Sequence, residues 1–268
     1  MKATVEPDVE LEYDVIGEGP DLVWLHGLSG SLEDGRPVAE RLAGRFRVLW
    51  YSTRGHGGST PLLDKNRYGY GRIAADLDAM LTHTGFDRPL LVGGSHGANT
   101  ILRHEADFPC RARGLLLIAP GCNALAPPPR HLFALLRLQL WRASRKGMDG
   151  LIELCVGAPP GSPAADPHLV AAMRTHDLAS LRVAMRRIPD QRACDPAALP
   201  AFDVPTHVVA WDGDPVIHPI AVARRIAALV PGATFAEIDK TAGLSAGQVA
   251  DVAYDVVSAW ADGVLAAG

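Results

Sequence analysis

Gly93-Gly94-Ser95-His96-Gly97 follows directly on the apolar run Leu90-Leu91-Val92. A serine set between glycines at the end of a strand occupies a sharp strand-to-helix turn, where its hydroxyl is lifted above the sheet as a nucleophile. Gly93 and Gly97 suit that turn because side chains there would collide with the neighbouring strand and helix. The helix N-terminus behind the turn favours negative charge developing beside it. Serine is also a preferred helix N-cap, but the flanking glycines and the preceding strand favour a nucleophile position. A serine hydroxyl is protonated near neutral pH and needs a base to attack. After His218 the chain contains no further histidine.

The surrounding pattern supplies the elements that must hold this turn. Asp21 to Leu25, Arg47 to Tyr51, Leu90 to Val92, Leu115 to Ala119, His207 to Trp211 and Thr234 to Ile238 are short apolar runs that read as buried strands. Val9 to Gly17 reads as an antiparallel edge strand or hairpin ending in a turn cluster. Helices are predicted over Pro37 to Leu42, through Ile73, Leu77, Met80 and Leu81 with Gly85 as C-terminal cap, over Ala98 to Glu105, after Pro219, and over a final segment carrying Val249 to Trp260. Strands alternating with helices imply a mostly parallel sheet covered on both faces. From Cys122 to Asp203 the strand rhythm stops, and helical patterns run through His131 to Arg145 and Leu178 to Arg187.

Composition narrows the class. The 268 residues, 48% hydrophobic and 21% charged, suit one large α/β domain with an inserted unit. A net charge of -4 gives no footprint for nucleic acid. Only four of the 26 basic residues are Lys, leaving 22 Arg, a composition expected of a GC-rich bacterial genome. The four cysteines form no metal-binding pattern and read as reduced, buried thiols of a cytoplasmic protein. Met1 to Pro7 carries no signal-peptide apolar core, and no apolar run reaches the roughly 18 residues that span a bilayer. Walker and dinucleotide spacings are absent, so neither cofactor nor metal is expected.

Taken in order, these motifs resemble the α/β-hydrolase superfamily, in its cap-bearing serine-hydrolase branch, over nearly the whole chain. The resemblance implies an α/β-hydrolase core over 1–121 and 204–268, with a mostly parallel central sheet flanked by helices, and an inserted helical cap over 122–203. It gives Ser95 the role of nucleophile. His26-Gly27-Leu28 matches the oxyanion loop, so the backbone N–H groups of Leu28 and of His96, the residue after the nucleophile, become the oxyanion donors. One such donor is worth about 3 to 4 kcal/mol of barrier in a protease case. The side chain of His26 reads as a loop histidine that holds the turn. Asp214, in Trp211-Asp212-Gly213-Asp214-Pro215, takes the position of the triad acid, with Asp212 as its rival. Pro120-Gly121-Cys122-Asn123, where some branches carry the acid, offers no carboxylate.

The family pattern then calls for a strand, a short loop and Gly-His before an apolar residue. Ile238-Asp239-Lys240-Thr241-Ala242-Gly243-Leu244 puts Gly243 on the histidine. His218, four residues past Asp214 at the start of a helix opened by Pro219, is a candidate substitute base, with Lys240 a more remote candidate. The side chain of His96 points elsewhere in family members, and His56 in Arg54-Gly55-His56-Gly57 reads as structural. Ser52 stands where the family often carries an Asp that organises this loop.

In the cap, Leu132, Phe133, Leu135, Leu136, Leu138, Leu140 and Trp141 are flanked by Arg130, Arg137, Arg142, Arg145 and Lys146. They read either as a lid over a hydrophobic substrate or as helix packing with a solvated basic face. Packing is the preferred reading for most of them. The resemblance implies a serine hydrolase, esterase- or lactonase-like, acting on an ester, thioester, lactone or C–C bond of a small, largely apolar substrate, with activity impaired by Gly243. The alternative is a lyase, cyclase or isomerase that uses the pocket and oxyanion hole; the next is a non-catalytic small-molecule binder. Dehalogenase and epoxide hydrolase chemistry is disfavoured because those relatives use an Asp in place of Ser95.

Overall fold

A computed structural model describes residues 1–211, 215–238 and 246–266. Eight strands, β1 (Lys2–Glu6), β2 (Val9–Ile16), β3 (Asp21–Leu25), β4 (Arg47–Tyr51), β5 (Leu90–Gly94), β6 (Gly114–Ile118), β7 (Thr206–Trp211) and β8 (Thr234–Ile238), form one sheet. Their order is β1-β2-β4-β3-β5-β6-β7-β8. The first two pairings in that order are antiparallel, and all the others are parallel.

The apolar runs are continuous because both faces of the sheet are covered, and successive side chains leave a strand on opposite faces. Leu115 and Leu117 of β6 join one core cluster, Leu116 and Ile118 the other. The first cluster takes in α2 (Tyr70–Thr84), α3 (His96–Asp107) and α8 (Ile220–Leu229); the second takes in α1 (Leu32–Leu42) and α9 (Ala246–Ala266). Between β6 and β7 lie four more helices: α4 (Arg130–Ser144), α5 (Gly147–Val156), α6 (Pro167–Met173) and α7 (Leu178–Arg187). Leu140, Leu151, Ile152, Met173 and Leu181 give them a small apolar cluster of their own.

Several local expectations need correction. The polar N-terminal residues form β1, the outer half of a hairpin with β2. Helix α1 begins at Leu32 rather than Pro37, with Glu33 and Asp34 in its first turn, and carries Pro37 inside it. The acidic residues complement the helix N-terminus, five residues before the expected start. Of the four cysteines, all free, only Cys194 is buried, and Cys110 and Cys155 are exposed. Gly85 does cap α2 in the left-handed region, at φ +68°.

Parallel β3 and β5 are neighbours, while β4 lies on the outer side of β3 and β6 on the outer side of β5. The chain order therefore reverses between β3 and β5. In open α/β sheets the crevice at the carboxyl ends of such strands is where ligands bind. The register pairs Leu25 with Gly93 and Gly94 with Ile118, so His26-Gly27-Leu28 and Ser95 emerge side by side at that reversal.

Loop 52–59, after β4, is anchored from below. The buried Arg54 guanidinium donates twice to buried Asp76, from Nε at 2.7 Å and Nη2 at 2.6 Å, and Nη2 also reaches Glu6 at 2.7 Å. Removing one partner of a buried ion pair leaves the other charge uncompensated. Arg54→Met is expected to cost about 3–5 kcal/mol, read as a lower urea midpoint with an unchanged m-value.

Candidate active site

Ser95 has φ +53° and ψ -109°, outside the regions that L residues favour. Glycines make this turn sterically feasible. A Cβ on Gly93 would lie 2.6 Å from the Gly97 carbonyl carbon, and one on Gly97 would lie 2.4 Å from the Leu25 carbonyl oxygen. The collisions expected from the sequence are thus real, one with α3 and one with β3. The Ser95 N–H donates to the Ile118 carbonyl at 2.9 Å, which ties the turn to the neighbouring strand.

The Oγ of Ser95 lies 2.8 Å from Nε2 of His218. His218 is half-buried, with its ring edge-on to Trp211 at 6.0 Å between centroids. Its segment is fixed by the Cys122 N–H, which donates to the Ile217 carbonyl at 2.7 Å. The structure therefore brings together Ser95 and the residue read from sequence as the substitute base. Asp212, Asp214, Lys240 and Gly243 lie outside the described residues.

Among the described residues, neither the Leu28 N–H nor the His96 N–H has a hydrogen-bond acceptor. His96 opens α3, where the first N–H groups have no intrahelical partner. Gly27 sits against Ser95: a Cβ there would be 3.7 Å from Ser95 Cβ. The Gly27–Ser29 segment is held from behind by three imidazoles. His26 Nδ1 bonds the Gly27 carbonyl at 2.6 Å, His56 Nε2 the Leu28 carbonyl at 2.8 Å, and His176 Nε2 the Ser29 carbonyl at 3.0 Å. The other ring nitrogens of His26 and His176 accept backbone N–H groups, from Thr53 at 2.9 Å and Gly57 at 2.9 Å. Those acceptor roles fix both rings as neutral tautomers. Ser52 accepts the Leu32 N–H at 2.7 Å and so organises the start of α1.

A cavity of about 580 Å³ opens over Ser95. Its floor is polar and buried. Asn99 donates to Asn123 at 2.9 Å, and both amides donate to the Tyr70 hydroxyl at 3.3 Å. With its acceptor sites filled, Tyr70 donates its own proton to Nδ1 of His96, also at 3.3 Å. Burial pushes the Tyr70 hydroxyl up to about 12, so it keeps that proton. Leu132, Phe133, Leu136, Met185 and Ile188 line the opposite wall. Here the preferred packing reading of α4 is incomplete: Leu132, Phe133, Leu135 and Leu136 line the cavity, Leu135 being exposed as well, while Leu138 and Trp141 are exposed away from it. Tyr70, Asn99, Asn123 and His176 were not found from the sequence. Asn99 had a signal, since one helical turn past Ser95 puts it on the same face; the others come from separate elements with no shared spacing.

Residues 20–169 match the family described as alpha/beta hydrolase fold. The chain belongs to that family. A fluoroacetate dehalogenase of Burkholderia sp is 34% identical over 105 residues, which cover 38% of this chain and 34% of that protein. A non-heme chloroperoxidase of Kitasatospora aureofaciens is 26% identical over 251 residues, covering 86% of this chain and 87% of that one. The crystal structure of an enol-lactonase from Burkholderia xenovorans superposes with a TM-score of 0.78 at 22% identity, covering 98% of this chain and all of that one. The fold and the enzyme class, an α/β hydrolase, rest on these likenesses together. Among the described residues no helix is long and apolar enough to cross a membrane.

The buried histidines make stability depend on pH. Burial pushes His96 and His176 down to about 3 and His104 to about 4. Unfolded, each takes up a proton near 6.5. Below that pH the unfolded chain binds more protons than the folded one, so stability falls as pH falls. The loss amounts to about 1.4 kcal/mol per pH unit for each group, and runs from about pH 6.5 down through the folded values. Glu105, raised by burial to about 7, opposes with one proton. The urea midpoint is expected to drop between pH 6.5 and pH 5, and His176→Gln to flatten the slope by about one proton's worth.

Proposed function

We propose that this chain is a serine hydrolase of small, largely apolar esters or lactones, with Ser95 as nucleophile and His218 as general base. The observation that carries this reading is the 2.8 Å contact between Ser95 Oγ and His218 Nε2. The Ser95 hydroxyl donates to Nε2 in the resting site. On attack, Oγ bonds to the substrate carbonyl carbon and its proton passes to Nε2. The carbonyl oxygen gains negative charge and is received by the Leu28 and His96 N–H groups. Collapse of the tetrahedral adduct expels the alkoxide, which takes the proton from His218 and leaves an acyl-Ser95. Water then enters by the same route, with His218 taking its proton and returning it to Ser95 as the acid product leaves.

Asp214 is proposed as the acid that orients His218, on its position four residues earlier in the chain. The helices of 122–203 act as the cap, and the wall formed by Leu132, Phe133 and Leu136 recognises the apolar part of the substrate. Such a cavity size is ordinary for a small ligand. Dehalogenation is not proposed, because displacement of halide by Ser95 would leave an ether, which water does not cleave as it cleaves the ester formed by a carboxylate. The impaired activity expected from Gly243 follows only where no other base is available, and His218 supplies one.

Mutation separates the two histidine positions. His218→Ala is expected to lower kcat on a short-chain p-nitrophenyl ester at least about 1,000-fold, and imidazole to restore part of it. Gly243→His is expected to leave kcat within a few-fold of the parent. Should Gly243→His raise activity by orders of magnitude while His218→Ala changes nothing, the base assignment is wrong. Asp214→Asn is expected to lower kcat by about 10,000-fold if that carboxylate holds the reactive tautomer.

A further inference from the structure

We infer that His176, carried by the segment between α6 and α7, is a positioning residue that sets the direction of the Leu28 N–H through two successive peptide planes. The inference rests on the reading of Ser95 as an acyl-transfer nucleophile. Its starting point is that His176 belongs to the helical insertion, yet both of its ring nitrogens bond the core. Nε2 bonds the Ser29 carbonyl at 3.0 Å and Nδ1 accepts the Gly57 N–H at 2.9 Å.

The relay follows from planarity. A trans peptide unit is rigid, and its C=O and the next residue's N–H point in opposite directions. When His176 holds the Ser29 carbonyl, it also aims the Gly30 N–H. That N–H donates to the Gly27 carbonyl at 3.0 Å. The Gly27 carbonyl shares its plane with the Leu28 N–H, so fixing the one turns the other away, toward the open side of the loop. A side chain at Gly30 would break the arrangement, since its Cβ would stand 2.8 Å from His26 Cβ. Seating of the insertion and aim of the oxyanion donor are therefore mechanically linked.

A second bolt between insertion and core provides the control. Ser180 donates to the Gly55 carbonyl at 3.0 Å and accepts the Leu62 N–H at 2.9 Å, without touching residues 27–30. Removing it weakens the same junction without cutting the relay.

The test is the rate at which a fluorophosphonate labels Ser95, read by mass spectrometry of the full chain, with thermal melts of every variant. His176→Leu loses both partners and is expected to slow labelling on the order of 10- to 100-fold, a part of what one oxyanion donor is worth. His176→Gln offers one amide donor and one carbonyl acceptor and is expected to restore labelling to within about threefold of the parent. Ser180→Ala is expected to lower the melting temperature and leave the labelling rate unchanged. Should His176→Leu not fold, His176→Asn, whose shorter amide reaches only one partner, replaces it with the same expected loss. Parent-like labelling of His176→Leu or its replacement overturns the relay, as does equal slowing by Ser180→Ala. Failure of the parent chain itself to label at Ser95 overturns instead the reading of Ser95 on which the relay stands.

Discussion

The backbone contact between α3 and β3 is the constraint on which the rest of the site depends. Gly97 packs so closely on the Leu25 carbonyl that a Cβ would approach to 2.4 Å. That contact lets the chain reverse from β5 into α3 within one residue, and the residue that absorbs the reversal is Ser95 at φ +53°. A non-glycine residue held there costs about 1–3 kcal/mol and persists only where its surroundings over-determine it. The surroundings do so through the Ser95 N–H bond to Ile118 and the glycine at 93. Ala119, at φ +44°, marks a second strained exit at the end of the next strand. The other two non-glycine residues with positive φ among the described residues, Arg88 and Cys110, precede β5 and β6.

Around this turn the site is made almost wholly from neutral groups. Among the described residues lining the cavity, Arg137 is the one with a permanent charge, and it is paired with Asp190 at 3.4 Å. Of the imidazoles behind residues 27–29, His26 and His176 are held neutral by burial and by the backbone N–H groups they accept, and burial lowers the His56 pKa. A proton on Nδ1 of His176 would put two donors face to face. Neutrality has an electrostatic consequence for the proposed function: in a low-dielectric pocket, backbone N–H dipoles act on a developing charge more strongly than in water.

The core was legible in sequence for a simple reason. Strands covered on both faces must be apolar throughout, and Leu90 to Val92 or Leu115 to Ile118 leave little ambiguity. The elbow was legible because its glycines answer to backbone collisions, which no other residue type satisfies. The first turn of α1 was not legible because Glu33 and Asp34 are a weak local signal with no apolar spacing beside them. His176 was illegible: it meets Ser29 across 147 residues of chain, and nothing near it has a period or a motif. Family order places the histidine position at residue 243, outside the described residues. Among the described residues, the imidazole beside Ser95 comes from an earlier loop.

Sheet geometry explains why an earlier loop can serve. In the sheet, β7 lies two places from β5 and β8 lies three. Neighbouring strands are about 4.8 Å apart, so a loop leaving β7 begins roughly 10 Å from the nucleophile strand and one leaving β8 roughly 14 Å. The Cys122 N–H draws residue 217 back against the loop after β6, one strand from Ser95. Trp211, the last residue of β7, meets the His218 ring edge-on. An imidazole at 218 therefore needs no long excursion to reach Oγ, whereas one from the last loop must cross an additional strand end. With the base proposed at 218, the last loop is released from a requirement that only histidine could meet, and a glycine at 243 is compatible with a working site.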